Sequence, residues 1–416
     1  MSSFSPYLIS WNTTKRCNLK CRHCYLDSDA LTKNDPSELT TEEGKRLIDQ
    51  IAMVNPATML ILTGGEPLVR EDIFDLSSHA SKKGMMVVFG TNATTLDDKT
   101  AKEMIKAGVA GVGISIDSAS PKYHDEFRGM EGAWEKAMEG IESCKRHGIE
   151  FQIQTTVTTA NYNEIPAIIE LSHKLGSRVF NLFFMVCTGR GQDITDISAE
   201  QYEETLRLLL DIQDKYKNMM VTARCAPHFK RLAYEKDPES PITKAAGYTG
   251  GGCLAAFHYC RITPEGDVTP CPYIPTAVGN VKKESFVDIW NKADFFQNMR
   301  RPKLTGRCGN CEYEYICGGC RARAYAAKND IMAEDPWCKY EPGKIGYKIK
   351  PQKKEDTEKI NWSPEAEERL NKVPYFLKGM VKKAVEGYAK EKGQNEVTVA
   401  LMEDVRKKSG RPSFTK

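Results

Sequence analysis

Hydrophobic positions along the first two hundred residues follow two alternating rhythms. Short apolar runs predict strands at Leu8–Trp11, Met59–Thr63, Met86–Gly90, Gly113–Asp117, Phe151–Val157 and Phe180–Val186. Between them, apolar positions recur at helical spacing. Trp134, Ala137, Met138 and Ile141 stand at i, i+3, i+4 and i+7 and predict one amphipathic helix. Thr40 followed by Glu43 is a capping box that opens another. Asn163 is expected to cap a third, with Pro166 in its first turn, Ile165, Ile168, Ile169 and Leu175 on its apolar face, and Gly176 ending it. Strands and helices in this alternation predict a parallel α/β fold. Right-handed crossovers would curl it into a partial or complete barrel. Chemistry is then expected at the C-terminal ends of the strands.

Two helical stretches, near Ala199–Tyr216 and Phe229–Tyr234, lead into a different pattern. From Gly250 to Cys338 the chain is rich in Gly, Cys and aromatics and poor in periodic runs, as expected of loops held by metal. Residues 341–361 are charged and irregular and read as a linker. Ser363-Pro364-Glu365 then starts a helix, a second runs from about Tyr375 to Lys392, and Thr398 is placed to cap a third. The 416 residues thus divide into an α/β unit (1–225), a Cys-rich unit (226–340), the linker (341–361) and a helical module (362–416).

Lys and Arg number 59 against 56 Asp and Glu, a balance that argues against nucleic-acid or membrane binding by bulk charge. No run of eighteen apolar residues occurs and the first residues lack a signal-peptide pattern, so a cytoplasmic protein is expected. In a reducing compartment the 14 cysteines are better metal ligands than disulfide partners.

Cys17-Asn-Leu-Lys-Cys21-Arg-His-Cys24 directly follows the first predicted strand. Three thiolates so close together can converge on one iron–sulfur cubane and leave one iron without a protein ligand. A zinc loop is the alternative, but it normally takes four ligands in pairs. Gly64-Gly65-Glu66-Pro67 ends the second strand. Together these motifs resemble the radical S-adenosylmethionine (SAM) superfamily. The resemblance implies that the open iron chelates SAM, and that an injected electron cleaves it to a hydrogen-abstracting 5′-deoxyadenosyl radical. It also implies SAM contacts from His23, Gly64, Gly65, Glu66, Pro67, Asn92, Ser115, Asp117, Arg128 and Gln154, with His23 over the adenine and Ser115 and Asp117 on the ribose. Asn92, Ser115, Asp117, Arg128 and Gln154 are otherwise ordinary capping or solvated polar residues.

Eight further cysteines, at 253, 260, 271, 308, 311, 317, 320 and 338, resemble the SPASM domain, which holds two auxiliary 4Fe–4S clusters. The resemblance implies Cys253, Cys260, Cys271 and Cys320 on one cluster and Cys308, Cys311, Cys317 and Cys338 on the other. The spacing Cys317-Gly-Gly-Cys320 is one residue shorter than the family's pattern, and zinc ribbons are the alternative. The implied architecture is a partial (β/α)6 radical SAM barrel, a SPASM domain and a small C-terminal helical module. Of the remaining cysteines, Cys144 reads as core and Cys187 as a packed thiol, whereas Cys225, with His228, is a candidate catalytic or ligand residue.

The stretches 188–191, 224–228, 252–271 and 308–325 look like the alternative-pathway heme synthases and their relatives, which act on porphyrin propionates. The tail from Trp362 to about Lys407 resembles a module of light-independent protochlorophyllide reductase. Both imply a tetrapyrrole substrate, here for a radical SAM oxidoreductase supplied by a low-potential donor such as ferredoxin or flavodoxin. Arg190, Arg224, His228, Lys230 and Arg231 are the cations available for its carboxylates. A SPASM-type peptide maturase is the alternative. The first strand begins within eight residues of Met1, leaving no room for a preceding peptide-recognition domain. A non-catalytic iron–sulfur electron carrier is the second alternative.

Overall fold

The computed structural model describes residues 4–28, 35–186, 197–216, 218–240, 243, 252–350, 360–371, 373 and 375–408. Strand β1 (Leu8–Asn12) shows how the sheet separates its faces. Ile9 and Trp11 are wholly buried in the main core, while Ser10 and Asn12, two residues apart, share the opposite face. Helix α1 (Thr41–Val54) opens with the expected Thr40–Glu43 capping box and seats on β1 at Gly44. A Cβ there would stand 2.7 Å from the Trp11 ring, so only glycine allows that approach.

The unit continues through β2 (Met59–Thr63), α2 (Ile73–Lys82), β3 (Met86–Thr91), α3 (Asp98–Lys106), β4 (Val109–Ser115), α4 (Pro121–Arg128) and α5 (Ala133–His147). It then runs through β5 (Phe151–Val157), α6 (Ile165–Leu175), β6 (Val179–Phe184), α7 (Ala199–Ile212), β7 (Met220–Arg224) and α8 (His228–Lys236). Strands β1 to β7 pair in sequence order and in parallel. On the free edge of β1 lies β8 (Tyr259–Ile262), again parallel, followed by antiparallel β9 (Asp267–Thr269) and β10 (Gly279–Asn280). The result is one ten-stranded sheet, open between β7 and β10. It is a partial barrel of mixed α/β type.

Several boundaries differ from expectation. Strand β4 starts at Val109 because the glycine-rich run before Gly113 pairs with β3, and it stops two residues short of Asp117. Strand β6 spans Val179–Phe184 rather than 180–186. Asn163 does not cap α6; it lies inside a 3-10 turn, Tyr162–Glu164, that runs into the helix. Gly176 does end α6, at φ 86°. Strands β7 to β10 had no counterpart in the sequence reading. The stripe on α5 is real: Ala137, Ile141 and Cys144 are fully buried and Met138 packs against them.

The main core runs unbroken from the barrel into the Cys-rich segment, through Ile262, Val268, Phe286, Trp290 and Phe296. Residues 341–350 fold back there: the amides of Gly343 and Ile345 donate to the Glu312 carboxylate, and that of Ile349 to the Glu312 carbonyl. The tail forms its own apolar cluster around Ala366, Leu370, Val385, Ala389, Val397 and Leu401. Ser363 and Thr398 cap its first and last helices as expected. No helix among the described residues is long and apolar enough to cross a membrane.

Candidate active site and its cysteine groups

The loop after β1 carries Cys17, Cys21 and Cys24, and each thiol lies within electrostatic reach of the other two. Its approach is heavily braced. Arg70 donates to the Thr13 carbonyl at 2.6 Å, and Glu38 accepts from the Thr14 hydroxyl and the Lys15 amide. The Gly64–Pro67 turn docks on the same backbone, the Gly65 amide on the Thr14 carbonyl and the Glu66 amide on the Arg16 carbonyl, both at 2.8 Å. A Cβ on Gly65 would stand 2.1 Å from the Arg16 carbonyl oxygen. These glycines are required by the cysteine loop itself, whatever ligand they also meet.

Glu66 is fully buried. Its carboxylate accepts from the Thr91 hydroxyl (2.7 Å), the Asn92 amide (2.8 Å) and the Leu68 amide (3.1 Å). Burial raises its pKa to about 7. It ties the turn to the end of β3 rather than standing free. Asn92 reaches Asn18 at 2.9 Å and approaches the Cys17 sulfur at 4.0 Å. His23 lies flat on Phe127, ring centroids 4.4 Å apart.

Arg128 ends α4 buried between two partners, the Cys21 sulfur at 3.8 Å and the Asp117 carboxylate at 2.5 Å. Its Nε is buried and has no hydrogen-bond partner among the described residues. Burial opposes the charges of this pair, but their attraction outweighs it. The Asp117 pKa is held below and the Arg128 pKa above its ordinary value. Asp117 also accepts from the Thr156 amide, at 2.8 Å. Its carboxylate is thus committed to Arg128 and β5, and Ser115 is the member of the expected ribose pair with no such commitment. Gln154 lies over Gly113, where a Cβ would collide with its amide.

The auxiliary cysteines form two groups. Cys308, Cys311, Cys317 and Cys338 line one pocket with Arg231 and Tyr340, and Arg321 donates to the Cys308 sulfur at 3.8 Å. In the other group the expected membership changes. Cys225, Cys253, Cys271 and Cys320 are mutual neighbours, each within electrostatic reach of the other three. Cys260 is absent from this group. Alternation along β8 turns Cys260 and Ile262 into the apolar core and Tyr259 and Arg261 to the opposite face.

The donor chemistry fits iron–sulfur clusters. Backbone amides two residues on approach the sulfurs of Cys17, Cys271, Cys311, Cys317 and Cys338, a pattern that stabilises cluster thiolates. Burial first, with the neighbouring thiols and, for Cys17, Glu66 adding to it, pushes the thiols of Cys17 and Cys225 up to about 12. Such thiols give up their protons to a metal rather than to water.

Between the cysteine groups lies a polar, aromatic interior that sequence reasoning missed. Asn12 donates to the Tyr25 hydroxyl at 2.9 Å and accepts from Arg261, whose guanidinium lies over the Tyr25 ring. The Ser10 and Tyr259 hydroxyls bond at 2.6 Å, and Tyr273 meets Tyr25 edge-on. Tyr25 neighbours Cys24, and Tyr273 neighbours Cys225 and Cys271. Arg224 keeps accessible surface, yet surrounding protein lowers its pKa, which is how a group in a deep cleft behaves. Neither Arg224 nor Arg261 has a carboxylate partner among the described residues.

The other candidate cations are less available. Arg231 is clamped by Glu203 and Glu235, and His228 is buried against Tyr202, at 2.8 Å, and Asp335. Burial lowers the His228 pKa to about 4, so its ring carries no charge near neutral pH. Lys230 stands between Cys253 and Cys317, its pKa lowered by burial to about 8. Cys187 and Arg190 lie outside the described residues.

Sequence profiles match three stretches of the chain. That of the radical SAM superfamily matches residues 11–172, that of an iron–sulfur cluster-binding domain residues 253–312, and that of the proto-chlorophyllide reductase 57 kD subunit residues 362–406. The AdoMet-dependent heme synthase of Methanosarcina barkeri is 40% identical over 347 residues, covering 82% of this chain and 98% of its own. The chain belongs to the radical SAM family of the AdoMet-dependent heme synthases. It is a radical SAM enzyme whose cofactors are SAM, the 4Fe–4S cluster that binds it and auxiliary 4Fe–4S clusters. The pre-heme d1 synthase of Dinoroseobacter shibae is 33% identical, covering 80% of this chain and 85% of its own. The radical SAM fold is shared with SuiB of Streptococcus suis bound to S-adenosylmethionine, at TM-score 0.65 and 18% identity, over 81% of this chain and 78% of that one.

Proposed function

We propose that this enzyme oxidatively decarboxylates propionate side chains of an iron porphyrin. What carries the reading is a pair of arginines with no acidic partner among the described residues: Arg261, over the Tyr25 ring, and Arg224, within electrostatic reach of Cys225 and Tyr7. Planar guanidinium groups so placed suit substrate carboxylates. The two relatives, named for heme and pre-heme d1 synthesis, support a tetrapyrrole as the carrier of those carboxylates.

When bound, SAM and its cluster supply a 5′-deoxyadenosyl radical that takes a hydrogen atom from the propionate β-carbon. The carboxylate would then leave as carbon dioxide and a vinyl group form, the one electron left over passing to an oxidised auxiliary 4Fe–4S cluster held by the Cys-rich segment. The residues have separable tasks. Cys17, Cys21 and Cys24 would hold the SAM cluster; Gly64–Pro67, Asn92, Ser115, Gln154 and His23 would contact SAM; and the Arg128 guanidinium would supply positive charge toward its carboxylate. Arg224 and Arg261 orient the propionate. No general base is needed for this sequence of steps.

The test is anaerobic incubation of the reconstituted enzyme with SAM, dithionite and iron-coproporphyrin, read by mass spectrometry. Loss of carboxyl mass in step with 5′-deoxyadenosine is expected. Deoxyadenosine with an unchanged porphyrin would overturn the substrate assignment.

A further inference from the structure

We infer that Cys225 is the fourth thiolate of the first auxiliary cluster, with Cys253, Cys271 and Cys320, and that Cys260 is a core residue. The inference concerns only this chain's ligand set and holds whatever the substrate is.

Four observations converge. The thiols of Cys225, Cys253, Cys271 and Cys320 are mutual neighbours, and all six pairings among them are close enough for charge on one to act on the other. Cys225 holds a left-handed backbone conformation, φ 56°, which costs a non-glycine residue strain and is kept where a side chain must be aimed. Its carbonyl is fixed by Arg323 at 2.8 Å, and the same guanidinium is ion-paired to Asp335, which accepts from the Cys320 amide at 2.6 Å. The two cysteines are therefore registered on one buried ion pair. Finally, Gly252 packs so tightly on the Cys317 carbonyl that no Cβ fits, which delivers Cys253 beside the turn leading to Cys320.

Cys260 shows the opposite environment. It pairs with Ile9 across the β1–β8 ladder, is wholly buried in the main core, and the one charge acting on it is Arg300. Arg300 is itself held by the Ala256 carbonyl and by the rings of Phe4, Trp290 and Phe296. With Cys225 in place, the first auxiliary cluster has four protein thiolates and no open iron. Such a site exchanges electrons without binding substrate. Because Cys225 follows β7, the barrel itself contributes to that cluster.

The test uses the full chain with Cys17, Cys21 and Cys24 all replaced by alanine, so that the remaining iron belongs to the auxiliary clusters. This background is expected to hold about eight irons. Cys225→Ala should lose up to half of them and change the electron paramagnetic resonance spectrum of the reduced protein. Cys260→Ala should leave both unchanged. Cys225→Ser keeps the volume and offers oxygen in place of sulfur, so if the alanine variant is insoluble, a shifted spectrum in the serine variant supports the assignment. Unchanged iron and spectrum on replacing Cys225, or loss of iron on replacing Cys260 in a protein of unaltered circular dichroism, would overturn it.

Discussion

His124 accepts a hydrogen bond from the Asp117 amide through Nδ1, at 3.2 Å, and can do so only while its ring is neutral. Burial lowers its pKa to about 4. Between the ordinary value near 6.5 and 4, the unfolded chain takes up a proton that the folded chain refuses. Stability is thus retained above about pH 6.5 and falls with acidification, by about 3 kcal/mol from this group. His124→Gln should flatten that dependence in urea unfolding between pH 4.5 and 7; an unaltered slope would show that the group contributes nothing. The arginines of the interior act on binding instead. Arg224→Ala should raise KM for a porphyrin substrate roughly tenfold to a hundredfold, as expected for one charge-assisted hydrogen bond. Deoxyadenosine formation without substrate should stay intact, and Arg224→Lys should restore part of the loss.

At the scale of elements, glycines separate structural necessity from mere strain. Gly65→Ala pushes a methyl group into the Arg16 carbonyl and breaks the docking of the Gly64–Pro67 turn on the cysteine loop. It should cost about 3 kcal/mol and remove about four irons, those of the SAM cluster. Gly148→Ala meets no atom within 4 Å at φ 67° and should cost only about 1 kcal/mol, with iron unchanged. Iron assays and chemical unfolding on the same preparations separate the two. Elements with local signals were legible in the sequence: the Thr40–Glu43 box, the α5 stripe and the Gly176 stop all act within one or two turns. Strand β7 was not, because Met220-Val-Thr-Ala-Arg224 has weak alternation and becomes a strand through the edge that β6 offers it. For Cys260 the spacing of cysteines pointed to a ligand, while the alternation Tyr259-Cys260-Arg261-Ile262 pointed to the core. Only pairing with the distant β1 decides between them. The interior tyrosines were hidden for the same reason.

For the whole molecule, the tail is the separable part. The heme synthase of Methanosarcina barkeri is matched over 98% of its length by 347 residues of this chain, and residues 360–408 pack a cluster of their own. A chain ending at residue 350 should therefore keep its iron content and its reductive cleavage of SAM. Loss of both would make the tail integral to the barrel.

The parallel pairing of β1 with β8 also sets a timetable. Ser10 and Tyr259, joined through their hydroxyls, are 249 residues apart in the chain. At ordinary rates of synthesis, on the order of 5–20 residues per second, the flank of β1 waits roughly 10–50 s for its neighbour. The loop carrying Cys17, Cys21 and Cys24 leaves the ribosome at the start of that interval, and Cys253, Cys271 and Cys320 only at its end and beyond. The nascent chain thus displays its SAM-cluster thiols first, beside a strand edge that stays unpaired until residue 262 has emerged.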